Sequence, residues 1–152
     1  MWNDPEPPLT PAETRDLQRV AAMMVPASSE YNVPGADDPV IFADIVASVG
    51  RDAGDVRKAL AALGQATGGA FADADPAKAE AAAAALRDAG GAPRAAIERV
   101  ILQCYYRDDR VLRSLDIEPR PPFPKGHVVE QGDWSLLDPV RKRAKLWRDA
   151  PR

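Results

Sequence analysis

The chain has 152 residues, enough for one domain that buries roughly two thirds of its unfolded surface. A single cysteine, Cys104, excludes an intrachain disulfide and a metal site of the CxxC kind, and a single histidine, His127, leaves little for a zinc site or a triad. No stretch approaches the ~20 apolar residues of a membrane-spanning helix, which argues against direct membrane insertion.

Charge and proline divide the chain. Residues 1–118 hold 12 basic and 19 acidic side chains, a net of −7, whereas residues 119–152 hold 8 basic and 4 acidic, a net of +4. Of the 15 prolines, nine fall at Pro5–Pro11, Pro119–Pro124 and Pro139, so these stretches are expected to be extended. The expected layout is a helical body over 1–118 and a basic, proline-rich arm over 119–152. The arm either completes the same domain or wraps a partner.

In chain order, Thr10-Pro11-Ala12-Glu13 announces the first helix, with a cap, a proline at the first helical position and a glutamate that closes a capping box. Leu17, Val20, Ala21 and Met24 follow on one face, and Pro26 stops it. The loop 26–38 is long for a helix connection, and Pro34-Gly35 reads as a turn. Asp38-Pro39 starts a second helix whose apolar face is Ile41, Phe42, Ile45, Val46 and Val49, with Gly50 as its stop. A third helix is expected from about Asp55 to Leu63, ending at Gly64, and Phe71 is a candidate anchor in the connection that follows. Asp75-Pro76 opens an alanine-rich fourth helix, whose small residues suit close packing, and Gly90-Gly91 ends it. The fifth, from Pro93, places Ile97, Val100, Ile101, Cys104 and Tyr105 together as the central core helix. A short sixth segment spans Asp109 to Leu115, at most one short strand covers His127–Glu130, and Asp138-Pro139 caps a last short helix carrying Arg141, Lys142, Arg143 and Lys145. The expected fold is all-α, an irregular domain of about five to seven helices with an extended C-terminal arm.

Chemistry finds little purchase in this pattern. The adjacent pairs Asp37-Asp38 and Asp108-Asp109 read as helix caps, because neighbours on a helix do not face each other. Cys104 lies on an apolar helix face, where cysteine behaves as a small hydrophobe. His127 lies in a loop without a second group to orient it as a base. The basic run Arg141–Arg148 could meet nucleic-acid phosphates and stack a base on Trp147, but the chain as a whole is acidic. A membrane-surface role lacks a long apolar face. Binding is the better reading. Tyr31 and Pro34 in the long loop, and Phe123, His127, Trp134, Leu137, Arg141 and Trp147 in the arm, are the candidate partner-binding residues, since aromatic and arginine side chains dominate interface energetics.

The stretch Leu9–Val46 resembles the opening of the gluconate 2-dehydrogenase subunit 3 family. The resemblance rests on Leu9, Thr10, Leu17, Met24, Val25, Pro26, Pro34, Gly35, Ala36, Phe42 and Asp44, and covers about a quarter of the chain. It implies a small non-catalytic subunit, itself without cofactor or metal, that assists the folding, stability and export of a large FAD-dependent dehydrogenase of the glucose–methanol–choline type, often with a c-type cytochrome subunit. The large subunit would hold the FAD and oxidise a sugar, sugar acid or alcohol. Members of the family commonly carry a twin-arginine export signal, whereas MWNDPEPPLTP shows neither a basic region nor an apolar run. The expected location is therefore cytoplasmic as written, or periplasmic if exported with a partner. Two other classes stay open: an enzyme using Cys104 or His127, and a regulatory or interaction module with an anion-binding arm.

Overall fold

In the computed structural model, which describes residues 9–121, 126 and 130–146, the regular structure among the described residues is seven α-helices and three short 3₁₀ turns, with no strand. The fold is all-α. It divides into two units, one ending at Pro119 and the other starting at Arg120.

The first unit holds α1 (Pro11–Met24), α2 (Pro39–Ser48), α3 (Ala53–Thr67), α4 (Pro76–Ala89), α5 (Gly91–Tyr105) and α6 (Asp109–Ser114). Their starts follow from local chemistry. Glu13 N donates to Thr10 Oγ1 at 3.3 Å while Thr10 N donates to Glu13 Oε2 at 2.7 Å, the reciprocal bonds of a capping box. The carboxylates of Asp38, Asp75 and Asp108 cap α2, α4 and α6, each satisfying backbone N–H groups that have no partner within the helix. Of each adjacent aspartate pair, the residue that caps is thus Asp38 in one and Asp108 in the other.

The helices meet in one core. Leu17 and Ala21 of α1, Ile41, Phe42 and Ile45 of α2, Val56, Ala59, Leu60 and Leu63 of α3, and Ala96, Ile97, Val100, Ile101, Cys104 and Tyr105 of α5 are all buried. The apolar period read from the sequence is therefore the inward face of each helix, and α5 is central, packing on α2, α3 and α4. Ala79 and Ala82 of α4 are buried as well, and small side chains there let α4 lie close against α3. Gly90 and Gly91 join α4 to α5 with φ of 64° and 78°, a left-handed pair that suits glycine and that a Cβ would strain.

Phe71, in a short 3₁₀ turn over Phe71–Asp73, is fully buried. Its turn is held by α1: Asp16 accepts from Ala72 N at 2.7 Å, Arg15 pairs with Asp73 at 2.6 Å, and Arg19 donates to the Ala72 and Ala74 carbonyls. Burying a phenylalanine ring contributes about 1.5–3 kcal/mol, and the polar bonds around it satisfy the backbone that the anchor drags inward.

Two boundaries differ from expectation. Helix α3 runs through Gly64 to Thr67, because Gly68 supplies the left-handed stop at φ 76° and Gly69 N donates to Gly64 O at 3.1 Å. Helix α5 begins at Gly91, ahead of Pro93. Of His127–Glu130, where at most one short strand was expected, residues 127–129 lie outside the described residues and Glu130 is not in a strand.

The second unit contains a 3₁₀ turn over Trp134–Leu137 followed by α7 (Asp138–Arg141). Its cap is Asp133, which accepts from Ser135 N at 3.0 Å and Ser135 Oγ at 2.6 Å. Asp138 sits inside the helix and accepts from Arg141 at 3.2 Å. The helix stops at Arg141, so Lys142, Arg143 and Lys145 follow it and are not carried on it.

Candidate functional site

The long loop after α1 is closed by its own backbone hydrogen bonds. Val25 N donates to Ala21 O at 3.0 Å as the helix ends, and Pro26, lacking an N–H, cannot continue it. Ser28 and Val33 then exchange two backbone hydrogen bonds of 3.0 Å each, closing a tight reversal. Within it, Tyr31 N donates to Ser28 Oγ at 3.3 Å, and Asn32 takes the left-handed φ of 51° that asparagine tolerates better than most residues. Ala36 N returns to Val25 O at 2.8 Å, so both ends of the loop are tied to the end of α1.

Gly35 is the pivot of this arrangement. A Cβ there would collide with Asp37 Oδ1 and stand 2.9 Å from Ala27 N and 3.2 Å from Val25 O. Two of those neighbours are backbone, so the site admits glycine by close approach and not by an unusual φ. The following Ala36 is fully buried. Pro34, Gly35 and Ala36 thus pack the base of the loop, with Pro34 half-buried. At the other end of the reversal the Tyr31 side chain is 65% exposed.

Two arginines from the α5–α6 corner clasp α2 beside this loop. Arg107 donates to both oxygens of Asp44, at 2.6 Å through Nε, and to Ser48 Oγ at 2.6 Å. Arg110 donates to Asp38 at 2.8 and 3.2 Å and to Asp108 at about 3.0 Å, so a single guanidinium joins the caps of α2 and α6. Forked donor and paired oxygens match in geometry, which is what arginine supplies and lysine does not. The guanidinium beside each carboxylate holds Asp38, Asp44 and Asp108 below the usual range, Arg110 acting on Asp38 and Asp108 and Arg107 on Asp44. Val40, exposed on α2, lines with Arg107 and Asp108 a surface depression of about 350 Å³.

The clasp makes the Asp44 carboxylate a structural tie between α2 and the α5–α6 corner. Sequence reasoning did not anticipate the role of Arg107 and Arg110. The one available signal was the run Arg107-Asp108-Asp109-Arg110 directly after the central helix, where a corner needs its polar ends satisfied.

Cys104 is 1% exposed at the bottom of the same depression. Burial, the largest influence, pushes its thiol above the ordinary range, the opposite of what a nucleophilic cysteine requires.

Of the candidate partner-binding residues, Tyr31 and Pro34 stand in one pinned loop. Trp134, Leu137 and Arg141 lie in the second unit, all exposed, and Phe123, His127 and Trp147 lie outside the described residues. No group of three or more histidine, cysteine, aspartate or glutamate side chains among the described residues is arranged to hold a metal ion. No helix among them is long and apolar enough to cross a membrane.

Fold and surface together define an all-α protein that displays an aromatic side chain on a braced loop. No family model, curated protein or solved structure matches the chain.

Proposed function

We propose that this chain is a non-catalytic accessory subunit, binding and stabilising a large FAD-dependent dehydrogenase of the glucose–methanol–choline type that oxidises a sugar, sugar acid or alcohol. The observation that carries the reading is the braced loop with Tyr31 at its tip. A partner that receives Tyr31 orders little on binding, because the loop is already held by the Ser28–Val33 pair, the Ala36–Val25 bond and the packing at Gly35. Of the eleven residues that carry the family resemblance, Val25, Pro26, Pro34, Gly35 and Ala36 build the loop, and Asp44 on α2 is held by Arg107. The resemblance supplies the identity of the partner; the loop supplies the means of contact.

Tyr31→Asp, measured by titrating the purified chain against a flavoprotein of that type from the same source, tests the contact. A buried interface tyrosine replaced by a charge is expected to weaken the complex by about 30-fold or more. Unchanged affinity with an intact fold would remove the loop from the interface.

A second reading, an interaction module with an anion-binding arm, draws on the exposed cations Arg141, Lys142, Arg143 and Lys145.

A further inference from the structure

We propose that the cleft between α1, α4 and α5 binds a small neutral molecule through a single aromatic ring. The cleft has a volume of about 140 Å³. Leu63, Phe71 and Ile97, all buried, form its floor. To its walls α1 contributes Val20, Met23 and Met24, and α4 contributes Ala83 and Leu86, all half-buried. Side chains close-pack wherever they can, so such a space persists only where its neighbours cannot close it. Helix α4 packs on α3 and α5 and makes no comparable packing with α1. At position 83 it offers only a methyl group. The floor cannot rise to compensate, because the turn carrying Phe71 is pinned to α1 by Arg15, Asp16 and Arg19.

Size, lining and charge select the occupant. An apolar cavity of ~150 Å³ lined by leucine, isoleucine and phenylalanine accepts one benzene ring, whereas a pocket for a drug-sized ligand or a dinucleotide needs roughly 300 Å³ or more. The floor and wall side chains offer water only carbon and thioether sulfur, so exchanging water for an apolar group is favourable. Two methionines and Phe71 favour a ring over an alkyl chain, since thioethers and aromatic rings both gain from contact with an aromatic partner. The rim holds Glu80, Arg87, Arg94 and Glu98, two acids and two bases. Arg94 and Glu98 satisfy each other, with Arg94 Nε donating to Glu98 Oε1 at 2.7 Å. Neither an anion nor a cation meets a surplus of opposite charge there, and a charged ligand would give up hydration without compensation.

This inference does not rest on the flavoprotein reading. The test is titration of the full chain, with isotopically labelled methionine methyl groups, against toluene, following the Met23 and Met24 methyl resonances. Both should shift saturably, with a Kd on the order of 1 mM or tighter. Benzoate and benzylamine, which add a charge of either sign to the same ring, should bind about tenfold more weakly or worse. Hexane, which lacks the ring, should also bind more weakly than toluene. Ala83→Leu fills the cleft and should weaken toluene binding about tenfold or more, whereas Ala85→Leu, exposed on the same helix and outside the cleft, should leave it unchanged. Circular dichroism establishes that each variant is folded, and the comparison of toluene with the charged rings and hexane tests the proposal on the unsubstituted chain alone. Methyl resonances that do not move with toluene would overturn the proposal. So would equal affinity for benzoate, benzylamine or hexane, or full affinity in folded Ala83→Leu.

Discussion

Replacing Gly35 by alanine probes how the loop is braced. The added Cβ would meet Asp37 Oδ1, which can swing away, but also Ala27 N at 2.9 Å and Val25 O at 3.2 Å, which belong to the backbone. Relief requires a shift at the very strand of chain that carries the Ala36–Val25 bond. Overpacking of this kind costs about 1–3 kcal/mol. For a body of this size that corresponds to a fall of roughly 4–12 °C in Tm. Urea denaturation followed by far-ultraviolet circular dichroism measures the change directly, with Gly54→Ala as the control. A Cβ at Gly54, inside α3, meets nothing within 4 Å, and alanine there should stabilise by up to ~1 kcal/mol. If Gly35→Ala matched the unsubstituted chain to within ~0.3 kcal/mol, the close approach would not be constraining the loop and the account of its rigidity would be wrong.

Other outcomes follow from the same contacts. Phe71→Ala should cost about 3–5 kcal/mol, because the ring is fully buried and its turn is tied to α1 by three side chains; a loss under ~1 kcal/mol would contradict its role as anchor. Asp38, Asp44 and Asp108 have folded pKa values lowered beneath the unfolded value of about 3.9, so their contribution is complete above about pH 5 and is lost as pH falls through the folded values. Urea midpoints should therefore decline from pH 5 toward pH 3, and less steeply in Arg110→Gln; a midpoint flat or rising over that range would contradict the clasp. Cys104 should react with a thiol reagent near neutral pH far more slowly than the denatured chain does, and fast reaction in the native protein would show that α5 is not buried as described.

Most of the helical plan was legible because it is written in local terms. Thr10 with Glu13, and Asp38, Asp75 and Asp108 before their helices, are signals a few residues long, and the apolar period of α1, α2 and α5 names its own inward face. Phe71 could be nominated for the core because a lone aromatic amid glycine and alanine has little other use. The end of α3 was not legible: either Gly64 or Gly68 could stop a helix, and it is Gly68 that turns left-handed, with Gly69 N donating to Gly64 O at 3.1 Å. Pairings across the chain were equally hidden. Nothing near Arg110 indicates that it will join Asp38, 72 positions away, and nothing near Asp44 points to Arg107. The loop's importance showed in its length and its Pro34-Gly35 turn, but its bracing depends on Val25 and Ala27 standing beside Gly35, a tertiary fact. In the arm, aromatic and basic composition suggested a binding segment; the Asp133 cap on the turn and the end of α7 at Arg141 required coordinates.

The measurement that bears most directly on the central claim is purification of the tagged chain from its own source under mild conditions, with the visible spectrum and subunit masses recorded, for both the unsubstituted chain and Tyr31→Asp. The account predicts a stoichiometric large subunit with flavin absorbance that accompanies the former and is depleted with the latter. A colourless chain that purifies alone, folded and stable, would contradict it.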